Sequence, residues 1–306
     1  MSLRVALSGY GAVAAIHARY LREHGGIQPT AVYGPNPEKA RAFAAAHGFT
    51  RVAESLADAL READAILICS PSPEHFAQAA QALDAGVSAL VELPACRTRA
   101  EALMLGEKAA RKGVIVECAH TSRYLEPYRR LKEWLDAGAL GTIEQIAYWR
   151  HLEPRSRSWV DDALLHHAEH PLDLWRYWFG ALVPLACAAH PMVEGAQNIA
   201  LAARLPHGAP VAFSISYTAR LPKLQMNLIA SRHTIETDGF SYIRSDSPEL
   251  CAEWNGQQTY EHAVRDQDAA FLARCLGHEG GVPWEQTVAL AGLVDRFRDL
   301  AGPATS

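Results

Sequence analysis

His166, His167, Glu169, His170 and Asp173 crowd into one short stretch, inside a helix expected from about Asp161 to Phe179. At 100° per residue, positions 166, 169, 170 and 173 share a face and His167 points elsewhere. Two imidazoles and two carboxylates on one face admit three uses. The first is acid–base chemistry, with His170 tuned by Asp173 or Glu169 to titrate near neutrality and oriented by Asp173. The second is a polar face hydrogen-bonded for structural reasons. The third is a metal site, because histidines at i and i+4 chelate one ion when a carboxylate completes the set. We rank them in that order and expect no required metal. The string His166 to His170 also fits the H-x-x-E-H pattern of inverted zinc peptidases. That match fixes only three positions in a chain with 14 histidines, and it carries little weight.

A second constellation, Gly9-Tyr10-Gly11-Ala12-Val13-Ala14, follows an apolar run and opens a helix. Glycine at the first position permits a tight turn, and Gly11 lets backbone approach a pyrophosphate. A small Ala14 lets helix pack on strand. At the first strand-to-helix turn this pattern is a dinucleotide-binding signal. The acid that would accept from a ribose 2′-hydroxyl is missing: Gly34 stands at the expected place, with Asn36, Lys39 and Arg41 just beyond. Losing a carboxylate removes repulsion against a 2′-phosphate, and a nearby cation can pair with one. The expected cofactor is therefore NADP, with NAD as the alternative.

The elements around these residues fall into two blocks. Strands at Leu3–Ser8, Pro29–Tyr33, Ala63–Ser70, Ser88–Glu92 and Val114–Cys118 alternate with helices at about Ala12–His24 and Pro37–His47 and after the later strands. Such alternation implies βαβ units and a parallel sheet. Beyond them come a helix at Leu125–Ala137 and a strand at Ile143–His151, then the histidine helix. Strand-like runs at Ile199–Leu205, Pro210–Tyr217, Leu224–Ala230 and His233–Thr237 follow without helices between them. The chain closes on helices at Asp266–Leu276 and Trp284–Leu300. The expected fold is α/β: a Rossmann, doubly wound parallel sheet over 1–121, then an α+β domain with an open, mostly antiparallel sheet over 122–306.

With 306 residues, 49% of them hydrophobic and 21% charged, the composition is that of a soluble globular protein rather than a disordered or fibrous one. A net charge of −5 argues against nucleic acid, which needs a basic face. No apolar run is long enough to span a bilayer, and Met1 to Arg4 lead directly into a strand rather than a signal peptide. A cytoplasmic protein is expected. The six scattered cysteines include no C-x-x-C pair and read as free thiols. Trp149 and Trp159 flank Arg150, Arg155 and Arg157, a combination suited to an anionic or ring-shaped substrate. Surface arginines over an aromatic would look the same.

Several motifs in order carry a family resemblance: the Gly9 loop, Ser70-Pro71-Ser72-Pro73-Glu74-His75, Glu92-Leu93-Pro94, Arg123-Tyr124, Gly138-Ala139-Leu140-Gly141 and His170-Pro171-Leu172-Asp173. Together the chain resembles the Gfo/Idh/MocA oxidoreductases, which include glucose-fructose oxidoreductase and inositol dehydrogenase. The resemblance implies nicotinamide-dependent oxidation or reduction of a sugar, cyclitol or related small polyol. It also implies assembly as a homodimer or homotetramer through the C-terminal sheet. It makes His170 the acid/base and Asp173 its neighbour, with His166 a further catalytic candidate. Gly9, Tyr10, Gly11, Ala12, Val13, Asn36, Lys39, Ser70, Pro71, His75 and Glu92 fall to the cofactor, and Arg123 and Trp159 to the substrate. Two departures touch the substrate end. Leu93 stands where the pattern has lysine, and His166 where it has aspartate. They keep open a non-redox lyase or hydrolase, or a nucleotide-binding sensor, on the same fold.

Overall fold

In a computed structural model, residues 2–154, 162–191 and 195–302 are described. The chain divides into two compact units: residues 1–120 with 264–291, and residues 121–263 with 292–306.

The first unit is built from β1 (Leu3–Ser8), α1 (Ala12–Glu23), β2 (Ile27–Tyr33), α2 (Pro37–His47), β3 (Arg51–Val52), α3 (Leu56–Leu60), β4 (Ala65–Ile68), α4 (His75–Asp84), β5 (Ser88–Val91), α5 (Arg99–Lys112) and β6 (Val116–Cys118). β4 and β5 are buried along their whole length, as strands covered on both faces must be. In α1 the buried positions Ala14, His17, Ala18 and Leu21 follow the helical period. Asn36 starts α2 by accepting from the Glu38 and Lys39 N–H groups, both at 3.0 Å, with Pro37 in the first turn. All pairings are parallel, in the order β3-β2-β1-β4-β5-β6. That is the Rossmann order, and its direction reverses between β1 and β4, where ligands bind at the carboxyl ends of the strands.

The sequence reading runs its second domain unbroken from 122; the structure returns 264–291 to the first unit. Phe271 and Leu272 join the cluster of Leu3, Val5 and Leu7, and Trp284 joins the one on the opposite face. Buried Glu117 accepts from Arg274 at 2.8 Å and from the Val282 N–H at 2.9 Å.

The second unit contains α6 (Glu126–Asp136), β7 (Ile143–His151), α7 (Glu169–Phe179), β8 (Val183–His190), β9 (Asn198–Arg204), β10 (Pro210–Ser216), β11 (Lys223–Ala230), β12 (Thr234–Thr237), β13 (Tyr242–Ser245) and β14 (Ala252–Glu253). Two last helices, α8 (Gly256–Cys275) and α9 (Trp284–Ala301), divide their residues between the units. The sheet order is β14-β13-β12-β11-β7-β10-β9-β8, antiparallel except between β7 and β10. Alternation sends Ile146 and Tyr148, then Phe213 and Ile215, to the buried face. Trp175 of α7 meets Tyr148 and Phe213 edge to face at 5.8 and 5.5 Å.

Two helix boundaries differ from the expected ones. Residues 163–168 form turns, and α7 begins only at Glu169. The Asp162 carboxylate accepts from the Leu164, Leu165 and Gly195 N–H groups, a local alternative to helix. The helix expected from Asp266 begins ten residues earlier, at Gly256. Among the described residues, no helix is long and apolar enough to cross a membrane.

Candidate active site

In the first unit the β1–α1 turn is a backbone cradle. Gly9 has φ +110°, and a Cβ there would lie 2.5 Å from the Cys69 carbonyl oxygen. Its N–H donates to the Tyr33 carbonyl at 2.8 Å. Gly11 starts α1 without a side-chain cap, and a Cβ on it would meet nothing. The first N–H groups of α1, including those of Ala12 and Val13, are therefore left for an anion. Fully buried Ala14 packs the helix on the sheet. Nearby, the buried Ser70 hydroxyl has no hydrogen-bond partner. Pro71 follows in extended conformation and leads into a single turn at Ser72–Glu74. These features fit the pyrophosphate of a dinucleotide.

Gly34 is more than a missing acid. A Cβ there would collide with the Tyr10 ring, whose hydroxyl accepts from the Asn36 N–H at 3.2 Å. The Asn36 side-chain oxygen is engaged in capping α2. Lys39 and Arg41 are exposed, and no carboxylate among the described residues pairs with either.

His75 is buried. Its Nδ1 lies 2.9 Å from the Pro94 carbonyl and its Nε2 2.7 Å from that of Ser70. It thus ties the Ser70 segment to the Pro94 turn through backbone. Glu92 is 18% exposed and meets His17 Nε2 at 3.0 Å, while His17 Nδ1 lies 2.7 and 2.9 Å from the two oxygens of buried Asp268. Both ring nitrogens face carboxylates, to which the ring donates at both only as imidazolium. Burial opposes that charge, but Asp268 and Cys69 together outweigh it and hold the His17 pKa well above its usual value. Sequence reasoning missed this residue; the available signal was a lone polar side chain in the apolar stripe of α1. Leu93 is buried among apolar residues, including Val91, Ala95 and Cys96.

In the second unit, the turn and α7 gather three imidazoles. The rings of His166 and His167 stack at 4.4 Å, and His170 lies 6.4 and 6.2 Å from them. His167, expected to point elsewhere, is buried and hydrogen-bonds the Tyr217 hydroxyl through Nδ1 at 2.5 Å. His170 is half-buried, and its Nδ1 lies 3.5 Å from the Ser122 hydroxyl. Asp173, expected to orient His170, is gripped by Arg123 through Nε and Nη2 at 2.8 and 2.6 Å. That pair occupies Arg123, expected to meet substrate, which also lies 4.8 Å from the Tyr177 ring centre. Glu169 is buried, and burial, with Asp173 adding, pushes its pKa well above the usual carboxylate range. Among the described residues, no group of three or more His, Cys, Asp or Glu is placed to hold a metal ion. Trp159, Arg155 and Arg157 lie outside the described residues.

A small cavity beside His170 is lined by Ser122, Tyr128, Tyr148, Arg150 and Phe240 among others. Burial raises the pKa of both tyrosines, so their hydroxyls stay protonated.

The family description "Oxidoreductase family, NAD-binding Rossmann fold" (GFO_IDH_MocA) matches residues 3–120. A 4-carboxy-2-hydroxymuconate-6-semialdehyde dehydrogenase of Sphingobium sp. strain SYK-6 is 27% identical over 227 residues, 70% of this chain and 72% of that protein. An inositol 2-dehydrogenase of Saccharopolyspora erythraea is 30% identical over 183 residues, 58% of this chain and 54% of that one. The chain thus spans about half the length of that inositol dehydrogenase. The fold is that of biliverdin reductase from Synechocystis, solved with biliverdin and NADP+. The TM-score is 0.81 at 19% identity, covering 98% of this chain and 97% of that one. Residues 3–120 thus match the NAD-binding Rossmann part described for the Gfo/Idh/MocA oxidoreductases.

Proposed function

We propose that the protein is a dehydrogenase or reductase. It moves hydride between a nicotinamide cofactor, preferably NADP, and a sugar, cyclitol or related small polyol, with His170 as acid/base. The observation that carries the reading is the bare cradle at Gly9 and Gly11 beside the unpartnered Ser70 hydroxyl, a site for the phosphates of a dinucleotide. Lys39 and Arg41, exposed and without carboxylate partners among the described residues, favour a 2′-phosphate.

Bound nicotinamide supplies the hydride acceptor or donor. His170 takes the proton of the alcohol during oxidation and returns it during reduction; its half-buried ring near the Ser122 hydroxyl suits that exchange. Glu92, held by His17, serves the cofactor end. The names of the relatives pull the substrate two ways, since one carries a carboxy group and the other is a neutral cyclitol. We further propose a cytoplasmic homodimer or homotetramer formed through the eight-stranded sheet, on which Val183, Leu185 and Ile229 are exposed.

The test is His170→Ala. Turnover should fall roughly 10²–10⁴-fold while nucleotide affinity is nearly unchanged. Joint loss of binding and folding would instead make His170 structural. Leu93 favours a second reading: buried among apolar side chains, it supplies no donor to a reacting oxygen. A nucleotide-binding sensor, or a lyase or hydrolase, therefore remains the alternative. It gains if no polyol is turned over and His166→Ala changes nothing.

A further inference from the structure

Arg150 sits where a charge is out of place. Along β7 the alternation that buries Ile146 and Tyr148 puts Arg150 on the same face. Its cross-strand neighbours are Ile215 of β10 and Leu224 of β11, both apolar. Its side chain is half-buried and hydrogen-bonds Tyr148, but its Nε is buried without a hydrogen-bond partner, and no carboxylate among the described residues pairs with it. A guanidinium partly withdrawn from water in this way is best matched by an anion.

The surroundings say which kind of anion. Arg150 lines the cavity beside His170 with Ser122, Tyr128, Tyr148 and Phe240, and no carboxylate lines it. The cavity leaves about 10 Å³ for the centre of a water-sized group, roughly one oxygen atom. Its polar lining consists of groups able to donate: a guanidinium, two phenols, a serine hydroxyl and an imidazole. A neutral hydroxyl in this place would leave the cation uncompensated, whereas a carboxylate oxygen satisfies it with a charge-assisted hydrogen bond.

We infer that Arg150 binds a carboxylate of the substrate, which is thereby a hydroxy acid of the aldonic or uronic type, or its oxo partner, rather than a neutral polyol. For the part of the substrate that reacts, this rests on the dehydrogenase reading above.

The experiment compares thermal unfolding of the full-length protein with galactarate and tartrate against galactitol and erythritol, at matched ionic strength. Wild type, Arg150→Met and Arg150→Gln are measured side by side. The carboxylates should raise the wild-type midpoint by about 2 °C or more and leave both variants unmoved. The neutral polyols should treat all three proteins alike. If Arg150→Met fails to fold, Arg150→Gln carries the comparison. A carboxylate shift that is absent from wild type, or kept in the variants, overturns the inference.

Cofactor turnover separates this from the broader reading. Oxidation of myo-inositol by a wild-type protein whose midpoint galactarate and tartrate leave unmoved would overturn the carboxylate site and keep the dehydrogenase. A carboxylate shift that vanishes in the variants of a protein that consumes no cofactor would keep the anion site and remove the dehydrogenase. With both correct, kcat/KM on an acid substrate falls roughly 10- to 100-fold in Arg150→Met.

Discussion

Arg123 donates to both oxygens of Asp173, from Nε at 2.8 Å and from Nη2 at 2.6 Å, with the two side chains nearly withdrawn from solvent. A bidentate pair in a buried setting is costly to break on one side, because the survivor keeps its charge without a partner. Asp173→Ala should therefore lower stability by about 3–5 kcal/mol in urea unfolding. Arg123→Met should cost a similar amount, and the double variant less than the sum of the two. Unchanged stability in Asp173→Ala would contradict this.

Glu169 gives a pH dependence of definite sign. Burial, with the Asp173 charge added, raises its pKa well above the usual value, so the folded protein holds this proton when the unfolded chain has released it. The stability that comes from holding it is present below the unfolded pKa and is lost as pH rises through the folded one. Glu169→Gln keeps the shape and removes the titration. It should unfold at higher denaturant than wild type at pH 8, with the difference vanishing near pH 4.5. Equal midpoints at both pH values would contradict this.

Cofactor choice depends on a steric feature as well as a charge. NADPH should bind more tightly than NADH by fluorescence titration, because Lys39 and Arg41 face no carboxylate partner among the described residues and no acid stands at position 34. Gly34→Asp alone should fail to install an NADH preference, because its Cβ collides with the Tyr10 ring. Gly34→Asp combined with Tyr10→Ala removes the collision and should shift the ratio toward NADH. Tighter NADH in the wild type would defeat the charge argument.

The His17 pair should show the opposite origin of an alkaline loss. Burial opposes its imidazolium, but Asp268 with Cys69 raises its pKa, and Glu92 meets the other ring nitrogen. That stabilisation is complete below the unfolded histidine value and disappears as pH climbs through the folded one. His17→Ala strands Asp268 as a buried carboxylate and should cost about 3–5 kcal/mol at pH 6, measured by denaturant unfolding. The deficit should shrink at higher pH. A deficit that is constant from pH 6 to pH 10 would mean the ring is held neutral.

Local chemistry made much of the first unit readable in advance. The turn at Gly9 needs a residue without a Cβ, β4 is a continuous apolar run, and α2 announces itself with Asn36 and Pro37. Each of these signals lies within a few residues of the element it specifies. β8 was not legible: Val183–His190 is rich in alanine and carries Pro184. Only its place at the sheet edge, with a register shift after Pro184, makes such a strand tolerable. The start of α7 was misplaced for a similar reason, since Gly195, far along the chain, shares the Asp162 carboxylate with the local turn.

The site divides in the same way. The sequence by itself determined the glycine cradle, the missing acid at position 34 and the cluster of histidines, because these depend on residue type and near neighbours. Tertiary structure alone decided the partners of the charged groups. Asp173 belongs to Arg123, fifty residues away, and His17 to Asp268 on the other end of the chain. A charge takes its meaning from whatever the fold brings within a few ångströms of it, and spacing along the chain does not encode that distance.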